Sequence, residues 1–576
     1  CFSTNQYDQV FHPQGYQYVR SFCLNPFPTT IYQIEGVTLQ KEVFLVYGQN
    51  TLVIQYTVLI NTSQDKDIRL ELRPLTAFRN YHQIVRKNTY LDPSLNVSDT
   101  KVSIRPYTSL PSLFFAHNAV DVQAQGVWYE NFFYVREEER GLEAKEDLFN
   151  PCVFIFDLNK GAQATVVVSL QEQDIAVVSG LRNNELKRRK DLVQSVSSED
   201  VFKRHLVIAA DQFIVKRQDQ QIVITGYPWF EDWGRDTMIA LPGLTLATGR
   251  FEDAKSILLS FTKQVNQGMV PNRCVTVGQK PEYNTVDAAL WFFETVRLYG
   301  EYTGKWSFIK EHFYLVLEDI IDWYRKGTRY NIHMDQDGLI DCGQGLTWMD
   351  ARSADGEVTP RHGKPVEVQA LWYNALCVIS ELAKRYDDSI SAEQYAQVAQ
   401  IVKKNFNRLF WNEDQGGLYD VIRGKDRDDT IRPNQLLAMS LRYSILDTDK
   451  FPKVLSLVEN ELLTPMGLRT LSAKHPHYKG VYIGNLKERE EAYHQGTVWP
   501  WLMGPFISAL LKTEGRNTQT MERVRGLLKP FEEHLRTAGL GQISEICDGD
   551  SPYIPRGCIA QAWSVAELLR VLSDHK

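Results

Sequence analysis

Over roughly the first 175 residues, apolar and polar positions alternate with a period of two, and Val, Ile, Thr, Tyr and Phe gather between clusters of Gly, Asn, Pro and Asp. Alternation of this kind marks strands with one buried face. It predicts strands at 37–44, 51–59, 68–75, 102–106, 112–116, 128–135, 152–158 and 164–169. Many short strands divided by turns imply a β-sandwich. From 201 onward the apolar period lengthens to that of a helix. Amphipathic helices are predicted near 201–215, 236–247, 252–267, 285–302, 306–327, 365–386, 392–411, 433–445, 450–463, 497–513, 518–537 and 560–574. Successive helices with alternately short and long connections can pair into hairpins and close into a ring of six, an (α/α)6 toroid. The charged stretch between them reads as a helical linker, with the basic run 187–190 as a solvated face. The expected plan is a β-sandwich over 1–175, a linker over 176–200 and a helical domain over 201–576.

Roughly every second predicted helix is preceded by a loop dense in Trp, Asp, Glu, Arg and His. In a ring of hairpins such loops meet at one mouth. The central one runs from Gly345 to Trp372 and carries Trp348 and Asp350. A carboxylate held against an aromatic face keeps a proton available for donation, which makes Asp350 the candidate general acid. Arg361 and Glu367 in the same stretch are further sugar ligands or ion-pair partners. YPWFEDWGRD, residues 227–236, offers Trp233 for stacking and Arg235 and Asp236 for sugar hydroxyls. The 269–287 stretch contributes Asp287, and RPNQ at 432–435 is explained by Pro at a helix start. In YHQGTVWPW, His494, Gln495 and Trp499 read as substrate wall, as do Trp348 and Trp563. Glu545 lies in a loop before the last helix and is the natural partner of Asp350, able to polarise a water while Asp350 protonates the leaving oxygen. Asp548 and Asp550 beside it read as turn residues.

The chain has 576 residues, 43% hydrophobic and 23% charged, with a net charge of −7 and no basic tract, which argues against a nucleic-acid partner. No run reaches the roughly 18 apolar residues of a membrane span, and no signal peptide is visible. Eight scattered Cys point to reduced thiols and a cytoplasmic protein. DQDGLID, residues 335–341, matches part of a calcium loop but lacks its closing Glu, so a β-turn is expected. No metal or other cofactor is expected, and no nucleophile elbow or Walker loop is present.

At FEDWGRDT, MVPNR, YNTVDAALWF, TWMDAR, TPRHGKPVEVQALWYNAL, YHQGTVWPW, ISEICDG and CIAQAWSVAE the chain resembles the amylo-α-1,6-glucosidase domain of glycogen debranching enzymes, in its short bacterial and archaeal form. The resemblance covers nearly the whole chain. It implies an N-terminal β-sandwich and an (α/α)6 toroid similar to that of glucoamylases. It further implies an acid at Asp350, a base at Glu545, and terminal-glucose ligands at Arg235 and Asp236. The Gly-rich strands that open the family's sandwich are missing here, and only the hydrolytic half of the two-activity enzymes carries over. The expected activity is inverting hydrolysis at α-1,6 branch points, with glycogen or a branched α-glucan as partner. The alternatives are a glucoamylase- or trehalase-like hydrolase, a disaccharide phosphorylase, or a glucan-binding protein without catalysis.

Overall fold

The computed structural model describes residues 1–62, 67–159, 163–194, 196, 200–273 and 280–573. The chain divides into two compact units, Cys1–Asp191 and Leu192–Lys576. In the first, an eight-stranded antiparallel sheet runs in the order Val19–Cys23, Thr29–Ile34, Val37–Leu45, Thr51–Asn61, Gln163–Ser169, Leu113–His117, Lys101–Ile104, Leu95–Val97. A three-stranded sheet joins Asp121–Phe133, Lys145–Asp157 and Arg69–Leu72. Each strand expected from the alternation overlaps an observed one. The two sheets share a core, to which the larger gives Leu39, Val102, Ile104, Phe115 and Val166, and the smaller Phe149, Phe154 and Phe156. The hairpin Thr4–Tyr7 with Val10–Gln14 and the strands Val19–Cys23 and Thr29–Ile34 carry no clean alternation and were not expected.

The segment read as a linker forms the helix Val178–Gln194. Of its basic run, Lys187 and Lys190 are exposed as expected, but the two arginines between them are engaged. Arg188 stacks on Tyr47, while Arg189 lies over Phe27 and donates to the Pro26 carbonyl at 2.6 Å. Nearly two turns earlier, Arg182 grips the buried Glu42 through two bonds of 2.7 and 3.1 Å.

In the second unit six helices follow one another in a closed order: Gly234–Leu241, Ala288–Thr303, Val366–Arg385, Leu437–Ser440, Met503–Glu514 and Ala562–Ser573. Each packs on the next, and the last returns to the first. The remaining long helices lie against these, Ser389–Phe410 along Val366–Arg385 and Val201–Asp211 along Ala562–Ser573. Lys203 there donates to the Leu572 carbonyl, 369 positions away. Close approach at the return contact needs glycine, because a Cβ on Gly243 would sit 1.9 Å from the Ala566 carbonyl oxygen. Gly243 lies in a π-turn, Pro242–Leu246, that continues the first helix past a residue with no N–H to give.

The helix expected over 433–445 stops at Ser440. Beyond it the chain is held by other partners, since Lys512 donates to the Leu441 carbonyl and the Ser444 hydroxyl, and Asn374 accepts from the Tyr443 N–H. An additional helix, Leu486–Tyr493, opens with a reciprocal capping box between Asn485 and Glu488. The 335–341 segment is a turn in which Asp335 and Asp337 both hold the Lys364 ammonium, at 2.7 and 2.6 Å. Residues 274–279, with Cys274, and residue 574 of the last expected helix lie outside the described residues.

Candidate active site

The loops leading into the six cyclically packed helices are tied to one another in a circle. The Gly234 N–H donates to the Asn272 carbonyl at 2.7 Å, and the Val286 N–H to the Leu346 carbonyl at 2.9 Å. Trp348 donates to Asn434 at 2.8 Å, and Arg432 to the His494 carbonyl and Gln495 side chain at 2.7 and 2.9 Å. Val498 then pairs with Cys547, and Gly226–Tyr227 pairs with Ala560–Gln561 to complete the circuit. A Cβ at Gly234 would meet the Pro271 carbonyl oxygen at 2.0 Å, so glycine is required where the first two loops touch.

Arg235 is the buried hinge of the acidic side. Its guanidinium donates to Asp287 at 2.7 Å, to Asp350 at 3.0 Å and to the Leu346 carbonyl at 3.2 Å. Burial raises the Asp287 carboxyl above the usual range against the pull of Arg235. Asp350 keeps 32% of its side chain exposed, which leaves it open to a substrate. Its partner is Arg235, and the rings around Trp348 are His494, Trp499 and Trp501, at 5.3, 5.4 and 5.2 Å.

Asp236, next in sequence, is partly buried, and its carboxyl is pushed up to about 7. Burial is the main cause; Arg235 opposes it, while the charges of Asp350 and Glu545 both raise it further. The charges of two carboxylates nearly two hundred positions apart in the chain thus both act on Asp236. Glu545 is only 1% exposed. One of its oxygens accepts from the Tyr493 hydroxyl, the other from the Cys558 N–H at 2.7 Å.

Trp348, His494, Trp499 and Trp563 are all buried. His494 stacks on Trp499, and Trp563 stacks on Trp501 at 5.3 Å. They back the loops as a packed cluster rather than standing as open walls. His494 is held well below its ordinary pKa by burial and then by Arg432, Arg235 and Arg361, so the ring is neutral. Trp233 caps the first helix position, partly buried and edge-on to Phe230 at 6.3 Å.

Arg361 and Glu367, read as possible sugar ligands, take the ion-pair alternative. Arg361 is 2% exposed and binds Glu367, Thr347 and Asp420, the last through bonds of 2.7 and 3.0 Å. Gln495 likewise serves the loops, donating to the Val358 carbonyl and Thr359 hydroxyl at 3.1 Å. Asp548 is no mere turn residue; it is buried and held by Arg556 and the Tyr482 N–H. Asp420 and Asn434, bonded to each other at 2.8 Å, carry no signal that the sequence reading used, and Tyr493 entered it only as a flank of the substrate wall. Asp420 sits in no motif, whereas Tyr493 stood in a motif already singled out.

Compared with known proteins, residues 208–570 match the family described as Amylo-alpha-1,6-glucosidase, and residues 2–165 match Glycogen debranching enzyme N terminal. The glycogen debranching enzyme of Saccharomyces cerevisiae is 25% identical over 517 residues, covering 68% of this chain and 33% of the yeast protein. The chain therefore spans about one third of that relative's length. A periplasmic trehalase of Escherichia coli O1:K1 / APEC is 27% identical over 132 residues, 22% of each chain. A bacterial glucoamylase solved in complex with acarbose aligns with a TM-score of 0.63 at 13% identity, covering 97% of this chain and 85% of its own. The class is accordingly that of glucoamylase-like folds, with β-sheets in the N-terminal unit and helices in the second. Within it, the chain belongs to the amylo-alpha-1,6-glucosidase family.

Proposed function

We propose that the chain is an inverting glycoside hydrolase that removes glucosyl units at α-1,6 branch points of glycogen-type glucans, with residues 201–576 as its catalytic domain. The observation that carries this reading is the aromatic cluster that links the two carboxylates: Tyr493, which donates to Glu545, packs on His494 and Trp499, and both of these pack on Trp348, two residues from Asp350. The cyclic packing of the six helices favours an (α/α)6 toroid, and the shared core of the two sheets favours a β-sandwich ahead of it. Asp350 protonates the glycosidic oxygen as the bond to the anomeric carbon breaks. Glu545 takes a proton from the water whose oxygen bonds to that carbon from the opposite face. Inverting pairs of this kind stand roughly 6.5–9.5 Å apart to admit the water. Arg235, Asp236 and Trp233 anchor the non-reducing glucose, and Asp287 fixes Arg235. No cofactor takes part.

The test is incubation with panose, isomaltose, maltose and a branched limit dextrin, with glucose release and its anomeric form followed by NMR. Release of β-glucose from the α-1,6-linked substrates is expected. Release of α-glucose, or turnover only with added phosphate, would refute the mechanism.

A further inference from the structure

Glu545 is the less exposed of the two carboxylates, and its surroundings determine whether it can act on water at all. Its hairpin fixes one oxygen: the Cys558 N–H donates to Oε2 at 2.7 Å, while the Glu545 N–H donates back to the Cys558 carbonyl at 2.9 Å. Gly557 makes room for this, because a Cβ there would fall 2.3 Å from Oε2, and its φ of +63° suits glycine. The other oxygen, Oε1, accepts from Tyr493 on a different element. Tyr493 ends the helix Leu486–Tyr493, and its ring is wedged among Tyr482, His494 and Trp499 at 5.7, 4.8 and 4.8 Å. Its carbonyl accepts from the Trp499 indole at 3.1 Å, so the residue is fixed at both ends. The same segment also reaches the loop that carries Asp350. Lys487 pairs with Asp355 at 2.5 Å, and Gln495 holds the Val358 carbonyl and Thr359.

We infer that Tyr493 is the positioning residue of the base: its phenol orients the Glu545 carboxylate toward the attacking water, and its helix ties that carboxylate to the acid loop. This rests on the hydrolase reading above. A donor to a carboxylate favours the ionised form, which is the form able to take the water's proton. Asp236, on which the Glu545 charge acts, is left unchanged in every variant, so the difference isolates the phenol.

Tyr493→Phe keeps the ring and removes the hydroxyl. It should lower kcat by about ten- to a hundredfold with KM within about twofold, and move the acid limb of kcat upward by about one pH unit. In a Glu545→Gln background the same substitution should cost nothing further. A kcat and an acid limb unchanged by Tyr493→Phe, or a full additional loss in the Glu545→Gln background, would overturn the assignment. Infrared titration of the Glu545 carboxyl, identified by its absence in Glu545→Gln, needs no turnover and should show the same upward move. A chain that hydrolyses none of the oligosaccharides sinks the parent reading, and the infrared result still decides this one.

Discussion

At the start of the first ring helix sits a carboxyl whose charge state links stability to pH. Asp236 has a carboxyl near 7 in the folded chain against an ordinary 3.8, chiefly because of burial. A raised carboxyl holds its proton more tightly folded than unfolded. The stability it contributes is complete below about pH 4 and is lost as pH rises through 7. Acidification from pH 8 to 5 should therefore raise the melting temperature more in the unmodified protein than in Asp236→Asn, as thermal scans across that range would record. Asp350 makes a different prediction. Since it is a third exposed and bound only at its edge by Arg235, Asp350→Asn should fold normally while kcat falls by about 10²- to 10⁴-fold. Normal turnover by a folded Asp350→Asn protein would remove it from the acid role.

The elements show where burial and function part company. Arg361 satisfies Glu367 and Asp420 together, and all three are almost fully enclosed. Arg361→Met leaves the buried Glu367 without its cation and Asp420 with only Asn434 at 2.8 Å and Arg432 at 3.8 Å, so urea unfolding should register a loss of about 3–5 kcal/mol, the usual cost of removing one partner of a buried ion pair. Such a network is hard to read in a sequence. Asp420 lies 59 positions from Arg361 in an unremarkable strand-and-turn segment, and an arginine that binds sugar looks the same in one dimension as one that binds two carboxylates. The strands and long helices were legible because their apolar period matches their backbone geometry. The helix Leu486–Tyr493, LKEREEAY, was not, since it presents no apolar stripe. Its one signal was the Asn485-x-x-Glu488 capping pattern. Trp348, Trp499 and Trp563, read as substrate wall, are buried and packed on one another. Aromatic content near polar loops does not reveal that the rings stack on one another.

At the scale of the whole molecule, the helical unit is joined at its own beginning and end. Gly226–Tyr227 pairs with Ala560–Gln561, Val201–Asp211 lies along Ala562–Ser573, and Lys203 reaches Leu572. Contacts between such distant positions form late, because the intervening chain must be ordered first. During synthesis, then, the ring stays unsealed until the last helix has left the ribosome. Nascent chains stalled before residue 560 should be cut readily by protease and should have no formed mouth, whereas chains stalled on a long spacer after residue 573 should resist digestion. Until that seam shuts, the apolar sides of five finished helices stand exposed, a period in which a molecular chaperone has the most to protect.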